Sequence, residues 1–224
     1  MHPKVLGAEA WGIARKLVEA RLTEGWVLAG GTGLALQLGH RVSEDLDFFL
    51  AGACEPEALA HALSRVAPVT VQGRSEETLH VVLGGLRVSF LSAQVPLLFA
   101  GTPYRGLVLA DPRDIAAMKV VAIGGRGSRK DFVDLYFYLR SGSSLEAVFR
   151  MVRKRFAAVD FNEYHLVRAL SYFEDAETEP MPRLLRSGEW PEIKAAIVAE
   201  VRRLSSPVRP VPARRAGSPR RRGR

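Results

Sequence analysis

Hydrophobic and polar positions alternate with two different periods along the chain, and the change of period outlines its elements. Val27, Leu28 and Ala29 form a short apolar run ending on Gly30-Gly31, the pattern of a buried strand followed by a tight turn. From Thr32 the residues Leu34, Leu36 and Leu38 predict a helix over roughly 32–39, leaning on the rest of the fold. The stretch Asp45-Leu46-Asp47-Phe48-Phe49-Leu50 predicts a strand. Strand side chains point alternately to the two faces of a sheet, so Asp45 and Asp47 share one face while Leu46 and Phe48 share the other. Upstream, Ala10, Ile13, Ala14, Leu17, Val18 and Leu22 recur at helical spacing and predict a helix over 7–24, stopped by Gly25.

Downstream, Pro56 opens a predicted helix to about residue 65, with Leu59, Ala62 and Leu63 facing inward. Three short strands are predicted at 69–72, 78–83 and 87–91, the last two joined by a Gly84-Gly85 hairpin turn. From Asp111 the period becomes helical. Predicted helices run from Pro112 to the Gly124-Gly125 stop, through SRKDFVDLYFYLR, over 145–159 and 161–173, and, after Pro180 and Pro182, over 191–204. These elements make an α+β protein: a mixed sheet with helices against it over 1–110, a helical region over 111–204, and a tail over 205–224.

Composition changes the picture in one place. The chain of 224 residues has a formal net charge of +8, a balance that suggests a nucleic-acid binder. Seven arginines lie in the acid-free stretch 205–224, however, and without them the net charge is +1. The body is almost neutral, and the Arg-, Pro-, Ser- and Gly-rich tail is expected to be disordered, with at most salt-sensitive affinity for polyanions. No apolar run approaches the roughly 20 residues that span a bilayer, and no membrane association is expected. The first residues read as an amphipathic helix without a signal-type core, which makes the cytoplasm the expected location. The single cysteine, Cys54, excludes an internal disulfide, and the five histidines show no zinc-ligand spacing.

The candidate chemistry sits where the period changes. Asp45 and Asp47, two carboxylates on one strand face, are candidate ligands for a divalent metal; the bland reading is the polar face of a half-exposed strand. Gly30, Gly31 and Thr32 stand at a helix start, where free N–H groups suit a phosphate and where Thr32 could equally be an ordinary N-cap. Arg41 and Ser43 would touch phosphate or belong to an exposed loop. Lys119 falls in the same arc of its helix as Met118, Ala122 and Ile123, and a lysine facing the core needs an anionic partner unless it snorkels outward. Asp134 lies a turn inside a helix that is apolar nearly all round, where burial demands a cation or donor. Asp131 stands at that helix's first turn, and Arg126 and Lys130 would neutralise phosphate or pair with the acids.

The wording GGTGLALQLGHRVSEDLDFF, with the distal run Lys119…Arg126…Lys130-Asp131-x-x-Asp134-Leu135, resembles the AbiEii/AbiGii toxin-type nucleotidyltransferases of the polymerase-β-like superfamily. The resemblance covers roughly residues 25–140. It implies the nucleotidyltransferase fold and transfer of an NMP from an NTP to an acceptor, with tRNA or protein as the acceptor. It also implies Mg2+ held by Asp45 and Asp47, a triphosphate on Gly30, Gly31 and Thr32, Lys119 on a phosphate oxygen, and Asp134 as general base or metal supporter. In biology it implies a toxin–antitoxin or phage-defence role with a cognate antitoxin. One departure matters: such enzymes usually carry a third carboxylate on a later strand, and Ser89 stands where it is expected. That keeps two alternatives open, a catalytically weak or inactive nucleotide- or RNA-binding protein of the same fold, and a nucleotidyltransferase acting on an aminoglycoside-like small molecule.

Overall fold

A computed structural model describes residues 1–93, 95–158 and 161–205. The tail expected to be disordered lies almost wholly outside the described residues. After a short 3-10 turn at Pro3–Val5, the first half of the chain runs α1 (Ala8–Glu19), β1 (Val27–Leu28), α2 (Gly30–Leu38), β2 (Asp45–Ala51), α3 (Pro56–Ser64), β3 (Val69–Arg74), β4 (Thr78–Leu83), β5 (Leu86–Ala93), β6 (Thr102–Tyr104) and β7 (Leu107–Leu109). The second half is helical: α4 (Pro112–Gly125), α5 (Arg129–Arg140), α6 (Leu145–Arg155), α7 (Glu163–Ala169), α8 (Glu174–Glu177) and α9 (Trp190–Ser205).

The strands form one mixed sheet in the order β3-β4-β5-β2-β1-β7-β6. β2 runs parallel to β5 and antiparallel to β1, so the strand bearing both aspartates lies inside the sheet. Its pleat sorts the side chains as the alternation requires. Leu46 and Phe48 are fully buried, Phe48 stacking on its register partner Phe90 with ring centroids 5.3 Å apart. This face packs with α1 and α3 through Leu17, Leu63, Leu79, Leu83 and Val88. A second core joins α4, α5, α6 and α9 around Ile115, Phe132, Val148 and Ile197. α2 stands between the two: Leu34 belongs to the helical core, Ala35 and Leu36 to the sheet core. The glycine turn that opens α2 is thereby fixed relative to both halves.

Several expected elements differ from the structure; the helix expected over 7–24, for one, ends at Glu19. The β6–β7 hairpin was not foreseen, because its strands have three residues each and its turn is Arg105-Gly106, both at positive φ, with arginine where asparagine or glycine is the usual signal. The helix expected over 161–173 is limited to α7, which ends at Ala169; residues 170–173 are not helical, and the four-residue α8 begins only at Glu174. The helix expected from Thr32 begins two residues earlier, at the glycines themselves.

Candidate active site

The site starts at a backbone constraint. Ala29 leaves β1 with its N–H on the Asp47 carbonyl, and Gly30 then takes φ +57°, which a side chain would strain. A Cβ on Gly30 would stand 2.5 Å from Asp47 Oδ2, so the glycine lets the chain pass directly beside that carboxylate. A Cβ on Gly31 would collide with the Arg41 guanidinium and meet Asp134 Oδ2 at 3.2 Å. The first-turn N–H groups of α2, which have no helical acceptor, therefore open beside the carboxylates.

On β2, Asp45 and Asp47 lie on one face, both half-buried. Asp45 Oδ1 accepts from Arg87 Nε at 2.7 Å, and Lys130 Nζ lies 4.0 Å from Oδ2. Asp47 stands opposite Ser89 on β5. Burial pushes the Asp47 carboxyl above its ordinary value and the adjacent Asp45 charge adds to this; Ser89 and the nearby Lys119 and Arg126 only partly offset it. Such a carboxylate is short of positive charge. Two carboxylates side by side fit a hard divalent cation that would take its other ligands from phosphate and water; among the described residues no group of three or more His, Cys, Asp or Glu side chains is placed to hold a metal.

Behind this pair lies a buried charge network. Lys119, 7% exposed, places Nζ 2.7 Å from both Asp131 Oδ1 and Asp134 Oδ2. Asp134, 0% exposed, also accepts from His40 Nε2 at 2.7 Å and from Arg41 Nε and Nη2 at 2.7 and 3.0 Å. Burial works against ionised Asp134, but Lys119, Arg41 and His40 outweigh it and hold its carboxyl well below the usual range. Burial likewise opposes charge on Lys119, while Asp134 and Asp131 prevail and raise its pKa. Asp131, at the first turn of α5, is also bonded by Ser128 Oγ at 2.9 Å and approached by Arg126 Nε at 3.4 Å.

Together these contacts bring Gly30, Gly31, Asp45, Asp47, Lys119, Asp131 and Asp134 into one region, with Lys130 and the exposed Arg126 at its rim. The chain is matched over residues 12–93 and 88–210 by the family model described as "Nucleotidyl transferase AbiEii toxin, Type IV TA system". It belongs to the AbiEii nucleotidyltransferase toxin family. The chain is also 36% identical over 171 residues to uncharacterized protein aq_aa25 from Aquifex aeolicus (strain VF5), covering 73% of this chain and 81% of that one. The fold is shared with a candidate nucleotidyltransferase from H. pylori (TM-score 0.53, 15% identity, 87% of this chain and 90% of that one). It is shared too with ANT(2")-Ia, solved with adenylyl-2"-tobramycin (TM-score 0.50, 14% identity, 66% of this chain and 97% of that one).

For this AbiEii-family chain, several expected positions differ in detail. Thr32 does not face the glycine turn's opening: its hydroxyl bonds the Asp45 carbonyl and Ser43 Oγ (2.7 Å), and the residue is 1% exposed. Arg41 and Ser43 are buried rather than in an exposed loop, Arg41 in the ion pair with Asp134. Asp134 has no oxygen left for a metal or a transferred proton, which argues against the base or metal role expected of it. Sequence reasoning passed over His40, Arg87 and His80. The His80–Ser89 pairing was implicit in the Gly84-Gly85 turn, which sets the β4–β5 register.

Proposed function

We propose that the chain is a magnesium-dependent nucleotidyltransferase that moves an NMP from an NTP to a macromolecular acceptor, tRNA or protein, as the toxin of a toxin–antitoxin or phage-defence system. The observation that carries this is the half-buried Asp47 packed against the glycine turn that opens α2, where a Cβ on Gly30 would stand 2.5 Å from its Oδ2. Asp45 and Asp47 would hold Mg2+, which supplies charge neutralisation of the triphosphate when bound. Gly30 and Gly31 would take the β- and γ-phosphates on their N–H groups. Lys119 lends its charge to that region, while Arg126 and Lys130 at the rim would meet phosphate or acceptor. Thr32, Ser43, Arg41 and Asp134 act behind the site: they fix the start of β2 and hold α5 against α2.

A cognate antitoxin is the expected partner. No described helix is long and apolar enough to cross a membrane, and the proposed site of action is the cytoplasm. The test is incubation with each α-labelled NTP, Mg2+ and total tRNA or protein extract, with Asp47→Asn as control. Label on RNA or protein with the wild type alone is the expected result. Ser89 in the third carboxylate's place favours a second reading, nucleotide binding without transfer. NTP binding with no label on any acceptor would select it.

A further inference from the structure

Arg41 and Arg155 are both buried, and they are served differently. Arg41 presents Nε and Nη2 side by side to Asp134, which takes them at 2.7 and 3.0 Å. Arg155, in the last turn of α6 with its side chain 3% exposed, has the same planar fork. Nothing among the described residues accepts from its Nε, and Nη2 reaches the Val95 carbonyl only at 3.5 Å. Its counter-ion is no closer, with Asp114 Oδ1 3.5 Å from Nη1. Asp114 is engaged elsewhere: its two oxygens accept from the Leu98 and Phe99 N–H groups at 2.9 and 3.0 Å. Burial pushes the Arg155 guanidinium below its ordinary value, and Asp114 only partly offsets this. A buried guanidinium with an unused fork is costly, because the hydration it gave up has not been replaced.

This guanidinium borders a cavity. A space of 240 Å³ lies between β1, β2, the 95–101 segment and α6, with Val27, Phe49, Val95, Leu97 and Phe99 among its walls. Of the described residues that line it, Arg155 alone has a charged or polar side chain. Val27, Phe49 and Leu97 also pack against the helical core, which fixes the walls. β1 and β2 are antiparallel, so the cavity, bordered by Gly25 and Ala51, lies toward the other end of that pair from Gly30 and Asp47. Its volume is that of roughly eight waters at about 30 Å³ each, which suits a molecule of benzoate or fatty-acid size and is too small for a nucleoside triphosphate. A carboxylate matches the fork, as Asp134 does at Arg41, and brings one charge; the second charge of a phosphate would stand unpaired among apolar walls.

We propose that this cavity binds a small apolar monocarboxylate, its oxygens taking Arg155 Nε and Nη2 and its hydrocarbon body filling the space between Phe49, Leu97 and Phe99. The site is separate from the nucleotide site and does not depend on the transferase reading. A molecule held there rests on β1 and β2, the two strands that lead to the glycine turn and to the aspartates.

Two measurements on the full chain test this. In calorimetric titrations with octanoate, phenylacetate and benzoate, each paired with its amide, at least one carboxylate should bind, and its amide should bind roughly 10-fold more weakly or worse. Arg155→Met should abolish that preference. The second measurement needs no variant: the Arg155 Nε–H resonance of the wild type, assigned through its own side-chain carbons in 1H–15N spectra, should move downfield and exchange more slowly with water when the carboxylate is added. An Nε–H that responds to none of the three carboxylates overturns the proposal. So do amides that bind as tightly as their acids, and an Arg155→Met protein that binds the carboxylate undiminished.

Discussion

Replacing Asp134 by Asn separates a structural from a chemical role at the centre of the molecule. The change keeps the side chain's shape and removes its charge, leaving the guanidinium of Arg41, 4% exposed, with no carboxylate partner. Lys119 keeps Asp131, 2.7 Å away. Breaking a buried pair by neutralising one member typically costs about 3–5 kcal/mol. For a chain of this length each kcal/mol shifts Tm by about 2–4 °C, so a fall of roughly 6–20 °C is expected. The pH dependence adds a second signature. Asp134's carboxyl sits well below its unfolded value, so its stabilisation is fully present above the ordinary carboxylate pKa and is lost as pH falls through and below it. The gap between wild type and Asp134→Asn should accordingly be widest near neutrality and narrow in acid. Thermal and urea unfolding followed by circular dichroism at several pH values read both effects. A variant as stable as the wild type at pH 7, inactive in transfer, would refute this reasoning and restore Asp134 as a chemical participant.

Asp47→Asn should act in the opposite direction. Because burial raises the Asp47 carboxyl, its ionised form works against folding as pH rises through the folded value, and the neutral variant should melt higher than the metal-free wild type at pH 7 while losing Mg–NTP affinity by calorimetry. Gly30→Ala should cost about 1–3 kcal/mol of backbone strain and displace Asp47, seen as lower Tm with lost nucleotide binding; an unchanged affinity would contradict the close approach. Ser89→Asp places a carboxylate beside Asp45 and Asp47, and should lower the Tm of the metal-free protein and tighten Mg2+ binding in the same titration.

How much of this was readable beforehand depends on whether the cause is local. The face shared by Asp45 and Asp47 follows from strand alternation alone, and the helical arc of Lys119 narrows it to a buried, paired lysine or one snorkelling outward, of which the structure has the first. Asp131 and Asp134 as its partners do not, because they come from the next helix and the pairing needs the α4–α5 packing. Thr32 shows the limit of a motif: helix-start threonine reads as a phosphate ligand, yet its hydroxyl turns to the Asp45 carbonyl because β2 passes on that side. Arg41 and Ser43 read as phosphate contacts or as an exposed loop, since nothing local marks them as buried; Arg41's ion-pair partner lies 93 positions away in the chain. The β6–β7 hairpin escaped because three-residue strands carry too few alternations to register.

The central claim is that the Asp45–Asp47 face and the Gly30-Gly31 turn together form the nucleotide site. It is tested most directly by a crystal structure with a non-hydrolysable NTP and Mn2+, read by anomalous scattering. The account predicts a metal about 2.0–2.2 Å from carboxylate oxygens of both Asp45 and Asp47, with phosphate oxygens on the N–H groups of Gly30 and Gly31. A nucleotide bound elsewhere, with those two carboxylates free of metal, would contradict it.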